Sequence, residues 1–439
     1  MLIRNGRVIS PEDHLDGDLD LLIEDGEIRE IAQGLIASAD ESIDARGQIV
    51  APGFVDIHVH LREPGGEISE TLESGLRAAV AGGFTAVCPM PNTRPVNDSQ
   101  ELTRRLVTRA EELKLARVFP IAAVTVGSMG ERLTDFEALM IAGAVGFSDD
   151  GKPVKTSALM KEALEKAKAL GVPIIDHCEV PELSAGGVMN EGVYSTSLGL
   201  HGISNSAEDG CIARDIEIAE ATGGHLHVAH LSTAGGVRMV REAKGRGLKV
   251  TCEVTPHHFT LTDEDVTRYG TNAKMNPPLR KADDVEAILQ AIHDGVVDAI
   301  ATDHAPHAKE LKSRSMAEAP FGVTGLETAL ALGLKQLVHS GKISIGQLIA
   351  LMSSKPASII NKPFGRIRVG GAADLTVFDP DLKWTYRAAA GSSRSHNSPF
   401  DGWKFLGAVT ATVVEGRIVF RRGIARKGGA SLDFSRSAS

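Results

Sequence analysis

At 439 residues the chain is long enough for two or three domains, and one α/β barrel of ~250 residues plus a small domain fits best. Its 47 basic and 57 acidic residues give a formal charge of −10, which argues against a nucleic-acid partner and for a small, soluble substrate. Cys88, Cys178, Cys211 and Cys252 are scattered without a C-x-x-C pair, as expected of reduced thiols in a cytoplasmic protein rather than a disulfide framework or a thiolate zinc site.

The opening residues MLIRNGRVIS carry a charge at Arg4 and no sustained apolar stretch, so neither a signal peptide nor a membrane span is expected. Residues 2–9 and 19–31 read as strands, the second with the turn signal Glu24-Asp25-Gly26 inside it. From Phe54 onward, short β-rich runs alternate with amphipathic segments, the pattern of a parallel sheet with crossover helices. The runs are 54–60, 84–89, 118–124, 144–147, 172–176, 225–229, 249–254 and 297–301. Helical stretches at 70–81, 101–113, 159–170, 212–221 and 285–292 lie between them, several closed by glycine. Eight such units predict a closed (β/α)8 barrel over residues 53–358, with its chemistry at the C-terminal strand ends. Residues 374–379 and 410–420 again read as strands. A small β domain is therefore expected to combine residues 1–52 with 359–439, ending in a Ser- and Gly-rich tail after Arg426 that has little to pack.

Alternate side chains on a strand share one face, so His58 and His60 can grip one metal while Arg62, just past the strand, faces a substrate anion. Two histidines on one strand can equally be hydrogen-bonded core residues. Four other strand ends favour the metal: Asp150 follows the fourth run, His177 the fifth, His230 the sixth and Asp303 the eighth. This His/Asp set suits Zn²⁺, and a carboxylate shared between two ions would allow a two-metal centre that activates water. His225 and His227 have parity opposite to His230, which assigns them to the other face as structural residues. His257 and His258 lie past the seventh run, and their role is open. Asp149 reads as a turn or supporting group, and His201, His293, Lys152 and Lys155 as solvated side chains.

The stretches GFVDIHVHLREPG, PMPNT, GFSDDGKPV, DHCE, VAHLST, EVTPHH, NPPLR, ATDHAPH and FGVTGLET run in order through most of residues 53–328. In these the chain resembles the dihydroorotases of the amidohydrolase superfamily, in the bacterial class with the longer chain. The resemblance implies a zinc-carrying barrel that closes carbamoyl-aspartate to dihydroorotate with loss of water. It implies one zinc on His58, His60 and Asp150 and another on Asp150, His177 and His230, one or two ions per chain with two favoured. Asp303, beside the first metal, would be the general acid/base. It would take a proton from the attacking water and deliver it to the departing ring nitrogen. Arg62, Asn92 and His307 match the residues for the substrate's free carboxylate, an arginine fork being suited to that group. Asn276 and the backbone at Phe321-Gly322 match those that contact the ring, and His60 lies beside them.

Many superfamily members bridge their metals with a carboxylated lysine on the fourth strand, where this chain offers Asp150. The charged segment 308–319, without a clear period, is a candidate loop over the substrate. A homo-oligomer is the expected assembly, with aspartate transcarbamoylase as a candidate partner. The alternatives are an amidohydrolase for another ring, such as hydantoin or allantoin, and a non-catalytic subunit. Arg62 and Asn92 speak against the first, and six retained ligand positions against the second.

Overall fold

Strands from both ends of the chain share one sheet in the computed structural model, which describes residues 1–423. The tail after Arg426 lies outside the described residues. Leu2–Ser10 pairs antiparallel with Leu15–Glu24, which pairs in turn with Glu27–Ala32. Asp25 (φ 51°) and Gly26 (φ 81°) turn that hairpin, and Glu415 (φ 50°) and Gly416 (φ 71°) turn the one between Lys404–Val414 and Arg417–Arg421. Positive φ at both central residues matches the right-handed twist of the flanking strands, so these dipeptides act as hairpin signals. The two ends meet where Ile49–Pro52 lies parallel to Leu2–Ser10 on one side and antiparallel to Leu375–Thr385 on the other. An apolar cluster beneath combines Ile3, Val8, Leu21 and Val50 with Leu375, Val377, Ala411 and Val413, all buried.

Between these segments the fold is mixed α/β with parallel strands. Phe54–Val59, Phe84–Pro89 and Arg117–Val118 form one parallel set. Ile121–Ala122, Gly146–Phe147, Ile174–Asp176, Leu226–Val228, Val250–Val254 and Ala299–Ile300 form another. The run expected over 118–124 is thus split, because Pro120 has no N–H to give to a ladder. At the other ends of the two sets Val59 bridges His304, and the His60 amide donates to the His304 carbonyl at 2.8 Å. The ladders are shorter than the β-rich runs because the flanking residues turn into the loops that carry the polar side chains.

Helices Leu72–Ala81, Gln100–Leu113, Ser157–Leu170, Asn205–Thr222, Ala234–Gly245 and Ala282–His293 pack their apolar stripes on the outer faces of these strands. Thr71, Ser99, Thr156 and Thr233 cap four of them by accepting a backbone N–H, and left-handed Gly171 and Gly223 close two. One helix begins seven residues before the stretch expected at 212–221. Its first turns, NSAEDGC, are polar and contain Gly210, so propensity gives no helix there. Tertiary contacts supply the difference: Asn205 donates to Asp284, and Glu208 accepts from Arg280. A second apolar cluster draws Val55, Ile57, Ala86, Cys88, Ile121, Ile175, Ala229, Ala299 and Ala301 together from the inner faces of the strands. Among the described residues no helix is long and apolar enough to cross a membrane.

Candidate metal centre and substrate pocket

The loops after the strands converge on a cavity of about 170 Å³. It is lined by His60, Arg62, Asn92, Asp150, His177, His230, Asn276, Asp303, His307, Phe321 and Gly322, joined by Gly151 and Ala305. Of the residues singled out for metal or substrate, only His58 stands outside this lining, buried just behind it.

His58 Nδ1 lies 2.6 Å from Glu253 Oε1, so the ring's other nitrogen is turned toward the acids. Nε2 is 3.3 Å from Asp150 and 3.7 Å from Asp303, and it is buried with no hydrogen-bond partner. His60 Nε2 is 2.9 Å from Asp303 Oδ1 and 3.5 Å from Asp150 Oδ2, while its Nδ1 meets Asn92 Oδ1 at 2.9 Å. The Asn92 amide also donates to Asp150 Oδ2 at 3.0 Å. His177 Nδ1 stands 2.8 Å from His230 Nε2 and 4.0 Å from Asp150, and His230 Nε2 is 3.9 Å from Asp150. Donor atoms of His58, His60 and Asp303 lie within 4.8 Å of one another, as do those of His58, Asp150 and His230. Nitrogen and carboxylate donors in such groups fit a divalent ion of the zinc type, and the buried Nε2 of His58, which has no hydrogen-bond partner, can serve as one of them.

The electrostatics carry the same mark of crowding. Burial works against an ionised Asp150, yet the imidazoles of His58, His60 and His177 outweigh it and hold the carboxyl well below its usual range. Burial likewise opposes a charged His177, but Glu179, hydrogen-bonded to its Nε2 at 3.0 Å, and Asp150 raise it to about 9. His230 is driven well down by burial and by its neighbours His177 and His58. Arg62 (φ 59°), His230 (φ 32°) and Asp303 (φ 46°) all sit in left-handed backbone that non-glycine residues adopt at a cost, a feature concentrated where function fixes geometry.

In the same cavity the Arg62 guanidinium donates to the Pro306 carbonyl at 3.1 Å and lies 3.2 Å from His307 Nε2. Removal from water lowers its pKa to about 10 against the pull of Asp303, Asp150 and Glu70, so it remains a cation at neutral pH. It forms no ion pair among the described residues, which leaves its charge available to an anion. Burial, reinforced by Arg62, pushes His307 down to about 2, so its ring is neutral; Nε2 also meets the Phe321 carbonyl at 2.7 Å. Gly322 (φ 127°) could not carry a side chain, since a Cβ there would stand 2.6 Å from the Ala305 Cβ.

Several supporting residues escaped sequence reasoning. Glu253 spans His58 and His227, and although burial opposes its charge these two rings bring it to about 2. Glu179 accepts from Asn276 at 2.6 Å as well as facing His177. Asn397, from the C-terminal segment, accepts from the His307 amide and donates to the carbonyls of Ala305 and Gly322. Glu253 shares the inner face of Val250–Val254 with Thr251, and His227 meets both.

His225 and His227 require a correction. They do not turn to the opposite face: His227 lies at 2.8 Å from Thr251 and 3.2 Å from Glu253, on the side of His58, and His225 also meets Thr251. The strand ends at Val228, and His230, with φ 32°, no longer follows its alternation. Both remain structural, as neither reaches the cavity. His258 is structural too, bridging Thr255 and the Pro277 carbonyl. Asp149 supports a turn through the Thr125 amide and hydroxyl. Arg280 of NPPLR points away from the pocket into a buried network with Glu208, Ser232, Asn190 and the Ile203 carbonyl.

The family description "Dihydro-orotase-like" matches residues 47–235. A dihydroorotase of Pelobacter propionicus is 51% identical over 423 residues, 96% of this chain and 100% of that protein. One of Geobacter sp. is 50% identical over 424 residues, with 96% and 100% covered. Among solved structures, the L-hydantoinase (dihydropyrimidinase) of Arthrobacter aurescens superposes with a TM-score of 0.86 at 26% identity, covering 96% of each chain. The D-hydantoinase (dihydropyrimidinase) of Thermus sp. gives 0.81 at 26% identity, over 96% of this chain and 95% of that one. With relatives at half identity over nearly its whole length, the chain belongs to the dihydroorotase family.

Proposed function

We propose that the protein is a zinc-dependent dihydroorotase, closing N-carbamoyl-L-aspartate to L-dihydroorotate with loss of water, reversibly, in pyrimidine biosynthesis. One observation carries this reading beyond the family: an arginine without an ion pair among the described residues lines the same cavity of about 170 Å³ as the cluster of metal-type donors, so an anionic ring and a water-activating centre fit side by side.

His58, His60 and Asp150 would hold one zinc and Asp150, His177 and His230 a second, with Asp303 beside the first set. When bound, the ions polarise the ring carbonyl and acidify water at that point. Asp303 takes the proton of the attacking water and returns it to the ring nitrogen as the amide bond breaks; in cyclisation the same carboxyl works in reverse. Arg62, neutral His307 and Asn92 bind the free carboxylate, with Arg62 supplying the charge. Asn92 also touches His60 and Asp150, which ties carboxylate binding to the metal site. Asn276 and the backbone at Phe321-Gly322 position the ring.

The fold is read as a closed (β/α)8 barrel over 53–358, with the small β domain made of 1–52 and 359–439. The chain continuity from Arg117–Val118 to Ile121–Ala122 and the Val59–His304 bridge support closure. A homo-oligomer in the cytoplasm, with aspartate transcarbamoylase as a candidate partner, completes the reading.

Metal analysis combined with an assay on dihydroorotate and on unsubstituted hydantoin tests it. Two zinc ions per chain and turnover of dihydroorotate are expected. Hydrolysis of hydantoin with none of dihydroorotate would overturn the substrate assignment.

A further inference from the structure

Two lysines are buried beneath the segment that ends at Phe321-Gly322, and neither has a carboxylate partner. Lys274 and Lys312 are 2% and 5% exposed. An ammonium carries three N–H donors and no acceptor. The Nζ of Lys312 meets three carbonyls, those of Lys274 (3.3 Å), Pro320 (3.1 Å) and Gly322 (3.0 Å). Lys274 answers from the other side: its Nζ donates to the Met316 carbonyl at 2.5 Å and stands 4.5 Å over the Phe321 ring, while its own carbonyl accepts the Gly322 amide at 2.9 Å. Lys312 sits at the end of the short helix Lys309–Lys312, and its carbonyl is held by the Thr271 hydroxyl at 2.5 Å. The two side chains therefore stitch both ends of the stretch between them to the strand-end loop that also supplies Asn276.

We infer that Lys312, clasped with Lys274, is a positioning residue for the substrate pocket: it fixes the carbonyl of Gly322 and keeps the 313–322 segment closed against the site. Burial is costly for such a pair. Lys312 is pushed down to about 7 by loss of water and then by the charge of Lys274, so the position is held against an electrostatic penalty. A merely space-filling residue would avoid that penalty, because an apolar side chain of similar length needs no carbonyls. Three carbonyls converge on this one nitrogen, a geometry that an apolar side chain would leave without a donor. Their convergence explains why a lysine stands where no acid balances it.

On the dihydroorotase reading the backbone at Phe321-Gly322 positions the ring before the chemical step, so loss of the clasp is expected to act mainly on binding. The inference rests on the dihydroorotase reading for its kinetic arm alone. Lys312→Met and Lys274→Met are compared with the wild-type holoenzyme by amide hydrogen exchange without substrate and by steady-state kinetics on dihydroorotate. In each variant, exchange of residues 313–322 is expected to quicken at least about tenfold while Val250–Val254 is unchanged. KM is expected to rise about tenfold with kcat within about threefold. The double variant should be no worse than the worse single one, as expected of two residues in one device. Unchanged exchange over 313–322, or equal acceleration in Val250–Val254, would overturn the clasp. So would loss of kcat at constant KM. If Lys312→Met does not fold, Lys274→Met carries the same test. A wild-type enzyme inert toward dihydroorotate would sink the functional reading while the exchange arm still judged the clasp.

Discussion

Glu253 Oε1 accepts a 2.6 Å hydrogen bond from Nδ1 of His58, and this one contact decides which nitrogen of His58 faces the acids of the pocket. With Nδ1 engaged by Glu253, Nε2 is the nitrogen left facing Asp150 and Asp303. A carboxylate behind a metal-binding imidazole sets its tautomer and raises its basicity.

Glu253→Ala should therefore weaken metal retention about 10–100-fold, the usual cost of losing such a partner. Chelator competition on purified protein measures it. Unaltered affinity would mean that His58 does not depend on Glu253 for its orientation.

Asp303→Asn should keep the metals largely bound and nearly abolish turnover, since it leaves a neutral isostere beside His60 and removes the proton carrier. General acid/base groups are worth roughly 10²–10⁴-fold. Turnover close to wild type, with metal content verified, would remove Asp303 from the reaction.

Arg62→Met separates substrates by charge. Binding of dihydroorotate should fall far more than that of a ring analogue without the carboxylate, because only the former loses a charge-assisted pair. Inhibition constants for the two ligands give the comparison, and equal losses would favour a neutral cyclic amide as the substrate.

An aspartate needs no carbon dioxide to become a ligand. Reconstitution of the apo-protein with zinc should restore activity equally with and without bicarbonate, and Asp150→Ala should lose the second metal first, with His177 and His230 left as its only ligands. Bicarbonate-dependent recovery, or the mass of an added carboxyl group on a lysine, would show that Asp150 is not the bridge.

Arg280→Met tests the assignment of Arg280 to architecture. It leaves Glu208 buried without its cation, and breaking such a pair costs about 3–5 kcal/mol. Denaturant unfolding of the metal-loaded protein reads the loss; a change confined to KM would instead place Arg280 at the substrate.

Much of the site was legible because its residues sit at strand ends, where a short apolar run stops at a His or Asp. His58, His60, Asp150, His177, His230 and Asp303 each announce themselves in that way. The parity argument failed at His225 and His227 because it assumed extended backbone as far as His230, and alternation holds only while φ and ψ stay in the β region. Glu253 was passed over for another reason: a lone acid inside a β-rich run has no spacing to flag it, and its partners lie 195 and 26 residues away in the chain. Asn397 and Lys312 are of the same kind, their importance set by backbone carbonyls that sequence does not show. The early start of Asn205–Thr222 was hidden because contacts with Asp284 and Arg280, rather than propensity, stabilise its first turns.

The sheet shared by the two ends of the chain has a consequence for biogenesis. Residues 2–52 leave the ribosome long before 375–421, yet Ile49–Pro52 finds one of its two neighbours only in Leu375–Thr385. Until that strand arrives, one edge of Ile49–Pro52 offers unpaired N–H and C=O groups, and the apolar cluster beneath it lacks Leu375, Val377, Ala411 and Val413. A nascent or prematurely terminated chain thus displays a sticky edge that the finished protein conceals. Completion of synthesis is itself the proofreading step, and chains ending before Leu375 should go to aggregates or proteases rather than to a partly active pool.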